Sequence, residues 1–169
     1  MSRYRPPQPR GSKFITHAGW QKLKDELDFL WRIKRPQVTQ AVSEAAAQGD
    51  RSENAEYIYG KKQLREIDSR VRFLRQRLDG MVIVKQKPSD SARIYFGAWI
   101  TLEDEDGKEL QYRIVGPDEF DATQRLISMD SPLAKALFKK AVDDEVTIEV
   151  PGGRRTYVVA AVSYHEFDE

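Results

Sequence analysis

Apolar residues recur through the first half of the chain at three- and four-residue intervals, at Leu23, Leu27 and Leu30 and again at Val38, Val42 and Ala45. That spacing lines them along one face of a helix and predicts helix over about residues 16–48. Pro36 falls inside the run. Its ring removes a backbone donor and crowds the preceding turn, at a cost of about 3 kcal/mol, so a kink is expected there and not an end. Gly49 breaks the pattern, and a second helix is predicted over about residues 53–78, with Tyr57, Gly60, Leu64, Ile67, Val71, Leu74 and Leu78 on a heptad-like seam. If the two helices fold back antiparallel about residues 49–52, Leu30 faces Val71, Leu27 faces Leu74 and Leu23 faces Leu78, seam on seam. Arms of about 30 residues would each be about 45 Å long.

After Asp79-Gly80 the period shortens. Residues 81–85, 94–102, 109–115, 145–150 and 156–163 alternate or run apolar with β-branched side chains, separated by turn signals such as Glu105-Asp106-Gly107 and Pro151-Gly152-Gly153. Ser131 and Pro132 suit the N-cap and first position of one short helix reaching about residue 141. The fold class is therefore α+β. Residues 1–15 are predicted as a flexible, basic, Pro-rich tail, 16–80 as an antiparallel coiled-coil hairpin with an acidic tip, and 81–169 as a small sheet domain.

Composition changes this picture only through its distribution. The 169 residues hold 28 Lys plus Arg and 27 Asp plus Glu, so the whole chain is nearly neutral. Residues 1–80, however, carry 17 basic and 10 acidic side chains, and residues 81–169 carry 11 and 17. The chain is two electrostatic halves. The absence of cysteine excludes disulfide frameworks and thiolate zinc sites. His17 and His165 stand alone, without metal or triad spacing. With no run of about 18 apolar residues and no leader-like apolar stretch, a cytoplasmic protein without a membrane partner is expected.

The turn between the helices reads Gln48-Gly49-Asp50-Arg51-Ser52-Glu53-Asn54-Ala55-Glu56-Tyr57. Asp50 and Glu53, three residues apart at the end of a rigid arm, offer oxygen ligands to a hard cation such as Mg²⁺. The same spacing fits a capping box in which Asp50 accepts from the Glu53 N–H; on spacing alone the cap is the commoner arrangement, and the two roles are compatible. Arg51, Ser52 and Asn54 either steady water or phosphate beside the carboxylates or serve turn and cap chemistry. Tyr57 lies on the apolar seam, where packing is the ordinary role. Lys61, Lys62, Arg65, Arg70, Arg72, Arg75 and Arg77 make the second helix basic. Glu66 and Arg70 form an ordinary i, i+4 pair by spacing. Lys61, Arg65 and Arg72 fall close to one face.

These residues resemble the Gre family of transcript-cleavage factors. The resemblance lies in residues 49–57, in Lys61-Lys62-Gln63-Leu64-Arg65-Glu66-Ile67-Asp68, in Leu30-Trp31-Arg32 with Arg35-Pro36, in Phe96-Gly97-Ala98-Trp99, in Arg113-Ile114-Val115-Gly116 and in residues 130–137. The Asp-Arg-Ser-Glu-Asn tip and the basic helix look more like the GreB than the GreA branch. The resemblance implies a hairpin that enters the secondary channel of bacterial RNA polymerase, with Asp50 and Glu53 as the catalytic pair. These two residues would help hold a Mg²⁺ shared with the polymerase only in the complex, no metal being bound tightly by the chain alone. It implies further that Lys61, Lys62, Arg65 and Arg72 guide the 3′ end of backtracked RNA. The second domain would be FKBP-like, with Asp130, Ser131 and Pro132 docking on the coiled coil at the channel rim. The chain would act as a monomer and a cofactor of another enzyme's active site. Two alternatives stand beside this: a non-cleaving regulator in the same channel, and a prolyl isomerase or chaperone suggested by fold alone.

Overall fold

The computed structural model describes residues 11–50 and 52–167. It divides into two compact units, residues 20–81 and residues 1–19 with 82–169. The first is helical. Helix α1 (His17–Phe29) runs into a π turn (Leu30–Lys34), then α2 (Arg35–Ala46); α3 (Ala55–Leu78) returns. The irregularity expected at Pro36 thus takes the form of a wider turn just upstream, closed by the Arg35 N–H donating to the Leu30 carbonyl. The cause is local: Pro36 has no N–H for the carbonyl four residues back, and its ring crowds that carbonyl. Helical dihedrals persist through Phe29, Lys34 and Arg35, so the arm bends its ladder without ending.

Leu23, Leu27, Val38 and Ala45 from the first arm and Gly60, Ile67, Val71 and Leu74 from the second are buried on the seam. Cross-arm pairs fix an antiparallel hairpin. The Arg35 guanidinium grips Asp68, with Nε 2.7 Å from Oδ1; Arg70 grips Glu26 at the same distance; and a Cβ added at Gly60 would stand 2.6 Å from Val42 Cγ2. Arg70 therefore pairs across the hairpin and not with Glu66, which lies instead 4.0 Å from Lys62. An arginine fork reaching a carboxylate on the neighbouring helix makes two hydrogen bonds, which an i, i+4 contact rarely matches.

The second unit is a five-stranded sheet with a short helix against it. Strands β3 (Trp99–Glu103), β4 (Glu109–Val115), β5 (Leu126–Ser128), β6 (Glu145–Val150) and β7 (Gly153–Ser163) stand in the order β5-β4-β3-β7-β6, antiparallel except for the β4–β5 pair. Ile100, Leu102, Ile114, Val146 and Val159 pack against Ala134 and Leu137 of α4 (Pro132–Leu137) to form the core. Two predicted elements are shorter than expected. The strand predicted from residue 94 begins at Trp99, because Gly97 turns the chain with φ +87°. The helix predicted to residue 141 stops at Leu137, where the backbone of Lys139 and Lys140 pairs instead with Ile94. Strand β5, a three-residue run, was not predicted.

The largest correction concerns the first fifteen residues, of which 1–10 lie outside the described residues. Phe14–Thr16 is not tail but strand β1, pairing parallel with β2 (Val82–Val84), and Ile15 is fully buried. Glu119 anchors this strand: its carboxylate accepts from the Thr16 N–H and hydroxyl and from the Gly116 N–H, while Thr16 Oγ1 accepts from Gly19 N to cap α1. Among the described residues no helix is long and apolar enough to cross a membrane.

Candidate functional site

The hairpin turn is built from short polar side chains that satisfy one another's backbone groups. Asp50 Oδ1 accepts from the Ser52 N–H at 2.9 Å and from its hydroxyl at 2.8 Å, a local turn that needs only an Asp two residues before a serine. The N-cap of α3 is Asn54, one residue beyond Glu53: its side-chain oxygen accepts from Tyr57 N at 3.1 Å. Its amide also donates to the Ala45 carbonyl at 2.7 Å, tying the end of the first arm to the start of the second. The capping box expected between Asp50 and Glu53 is therefore replaced. The helix starts later because Asn54 satisfies a donor in its own helix and also reaches a carbonyl at the end of the opposite one.

This leaves Asp50 and Glu53 exposed beside one shallow depression, lined also by Gln48, Asn54, Ala55 and Glu56. The Ser52 backbone N–H, and then its hydroxyl, stabilise the charged form of Asp50 and hold its carboxyl below the usual aspartate range. Glu56, in the first turn of α3, is a third acidic group that sequence reading gave no role. Among the described residues, no three acidic or histidine side chains converge to hold a metal. The donor set is thus hard and oxygen-only, suited in kind to Mg²⁺ and incomplete in number. Arg51 lies outside the described residues.

On α3, Lys61, Arg65 and Arg72 are exposed and recur at i, i+4 and i+11, one stripe along the helix. Among the described residues none of the three has a carboxylate partner. Lys62 lies a quarter turn round the helix, near Glu66. Tyr57 is half-buried, in keeping with its seam position. Sequence reading assigned nothing to Trp31, yet it is 46% exposed, with the Arg75 and Arg35 guanidinium carbons 4.5 Å and 5.4 Å from its ring centre.

Asp130, Ser131 and Pro132 belong to the other unit. Ser131 Oγ accepts from Ala134 N at 3.2 Å and caps α4, with Pro132 in its first turn. Both Asp130 carboxylate oxygens accept from Ser12, from its N–H at 2.9 Å and its hydroxyl at 2.5 Å.

Comparison with known proteins covers both units. A model described as "Transcription elongation factor, N-terminal" matches residues 13–83, and one described as "Transcription elongation factor, GreA/GreB, C-term" matches residues 88–164. A Pseudomonas aeruginosa protein named transcription elongation factor GreB is 60% identical over 97% of this chain and 98% of its own. A Yersinia pestis protein of the same name is 57% identical over 94% and 92%. Among solved structures, the GreA factor homolog 1 (Gfh1) of Thermus thermophilus is 27% identical over 89% of this chain and 97% of its own, with a TM-score of 0.40. Near-complete coverage at such identity, with the family models falling on the hairpin and on the sheet unit, places the chain in the GreA/GreB family of transcription elongation factors.

Proposed function

We propose that the chain is a cytoplasmic, monomeric elongation factor that enters the secondary channel of RNA polymerase hairpin first and stimulates the polymerase's own cleavage of backtracked RNA. The observation that carries this reading is the pair of exposed carboxylates, Asp50 and Glu53, presented at the end of a hairpin whose adjoining face is basic. Asp50 and Glu53 are the residues that would hold a Mg²⁺ completed by ligands of the polymerase. When bound, that ion supplies activation of a water and neutralisation of phosphate charge. Asp50 arrives already ionised and oriented by Ser52, and the Asn54 bridge between the arms limits how far the turn can wander. Lys61, Arg65 and Arg72 attract the phosphates of extruded RNA along the helix. Asp130, Ser131 and Pro132 form the corner that meets the channel rim.

The test is a halted, backtracked elongation complex to which the protein is added. Shortened RNA is expected with wild type. Asp50→Asn and Glu53→Gln are each expected to abolish shortening while polymerase binding persists, because the tip does chemistry and the sheet unit docks. Binding of wild type without any shortening would instead favour the non-cleaving regulator.

A further inference from the structure

We infer that Trp31, with Arg75 and Arg35 around it, is a stacking post for an unpaired RNA base at the end of the basic stripe remote from the tip; this rests on the reading of that stripe as RNA-facing. The placement follows from the α3 repeat. Lys61, Arg65, Asp68, Arg72 and Arg75 succeed one another at i, i+4, i+7, i+11 and i+14, so all five share one side of the helix. Asp68, the one acidic member, is taken up by the Arg35 fork, and Arg75 is the member that reaches Trp31. The cationic stripe therefore ends on an aromatic ring.

The ring is also partly open to water, beside the two guanidinium groups that stand over it. An indole is among the most favourable side chains to bury, yet almost half of Trp31 stays in water on a helix that has an apolar seam available. It sits in the π turn, an irregularity that often accompanies function. From Trp31 an open groove lined by Arg35, Pro36, Thr39, Gln40 and Ser43 runs along the first arm toward the tip. Cations beside a groove with a π-surface at its end match what single-stranded RNA presents: phosphates at intervals and bases free to stack on a ring or a guanidinium plane. Duplex DNA or an acidic protein would use the charges and leave the ring idle. Trp31 is 19 residues from Asp50, or about 28 Å along a helix. At about 3.4 Å per stacked nucleotide, only RNA extruded by several nucleotides can reach it.

The experiment is a titration of the full-length protein with a fluorescent single-stranded RNA of about twelve nucleotides at low salt, with inorganic polyphosphate as a base-free probe. Trp31→Ala is expected to weaken RNA binding by about tenfold, the contribution of one stacked base, and to leave polyphosphate binding unchanged. Trp31→Phe should restore most of the loss. The salt dependence of RNA binding should not change in Trp31→Ala, since no phosphate contact is removed, whereas replacing Lys61, Arg65 and Arg72 together should flatten it. Equal weakening toward RNA and polyphosphate would mean that Trp31 only positions the arginines, and would overturn the inference. So would unchanged RNA binding by Trp31→Ala, or no RNA binding by wild type. If the backtracked-complex assay shows no shortening while Trp31→Ala still loses RNA selectively, the cleavage reading fails and the stacking post stands.

Discussion

Asp50 shows how a side chain can be legible in kind while its local hydrogen bonds are not. Its acidity and its place in the turn were plain from sequence, but Asp and Asn both serve as N-caps, and local spacing allowed the helix to start behind either. The choice falls to Asn54 because its amide also reaches the Ala45 carbonyl, nine residues back on the other arm. No local pattern encodes that contact. The consequence for Asp50 is measurable. Its carboxyl is lowered chiefly by the Ser52 N–H and secondarily by the Ser52 hydroxyl. Being depressed, it stays charged below the usual aspartate value, and the small stabilisation it lends the turn is present above that value and lost as pH falls through the folded one. Ser52→Ala removes only the hydroxyl, so an NMR titration is expected to show the Asp50 pKa rising part of the way back. Complete restoration would mean that the N–H contact contributes nothing.

At the scale of elements, the hairpin was the most readable part of the chain, since two independent apolar seams pointed to one antiparallel pairing. Arg35–Asp68 and Val42–Gly60 keep close to the expected register, whereas Glu26 pairs with Arg70, beyond the π turn. Trp31, inside that turn, meets Arg75 with the opposite offset, so long side chains reaching along the seam account for both pairs. Gly60 is a point of close approach between the arms. Glycine to alanine inside a helix ordinarily gains up to about 1 kcal/mol, but here the new methyl meets Val42, whose β-branched side chain has little rotamer freedom in a helix. Gly60→Ala is therefore expected to lose about 1–3 kcal/mol by overpacking, and Val42→Ala in the same chain to recover part of it. Thermal melts of the single and double variants check this. The short strands β1 and β5 were illegible for the opposite reason: three-residue runs carry no periodicity, and their pairing partners, not their sequences, make them strands.

For the molecule as a whole, the division of charge gave the better clue than the near-zero total. Two exposed carboxylates, with no third convergent ligand among the described residues, hold a divalent ion weakly. The isolated protein with Mg²⁺ is accordingly expected to leave free RNA intact in a gel assay, and robust degradation by polymerase-free material would refute the cofactor reading. Replacing Lys61, Arg65 and Arg72 with Ala should spare complexes backtracked by a few nucleotides and impair deeply backtracked ones, with raised salt hurting wild type in the same selective way. These exposed positions lie off the seam, so stability should move by no more than about 0.5 kcal/mol per site. Equal loss on short and long extruded RNA would show a merely solvated face.

The parallel pairing of β1 with β2 has a further meaning for how the chain is cut and joined. The sheet unit is assembled from both flanks of the hairpin, and the residues on either side of it, Thr16 and Val84, are already neighbours in one ladder. A fragment beginning at residue 81 is therefore not a domain: it lacks the strand that carries Ile15 and leaves Glu119 without the Thr16 donors it accepts. The hairpin, by contrast, is a cassette spliced between two strands that hold its ends together. Exchanging everything between Gly19 and Val82 for the matching stretch of a relative would swap the tip and its basic face while leaving every strand of the recipient in its own register.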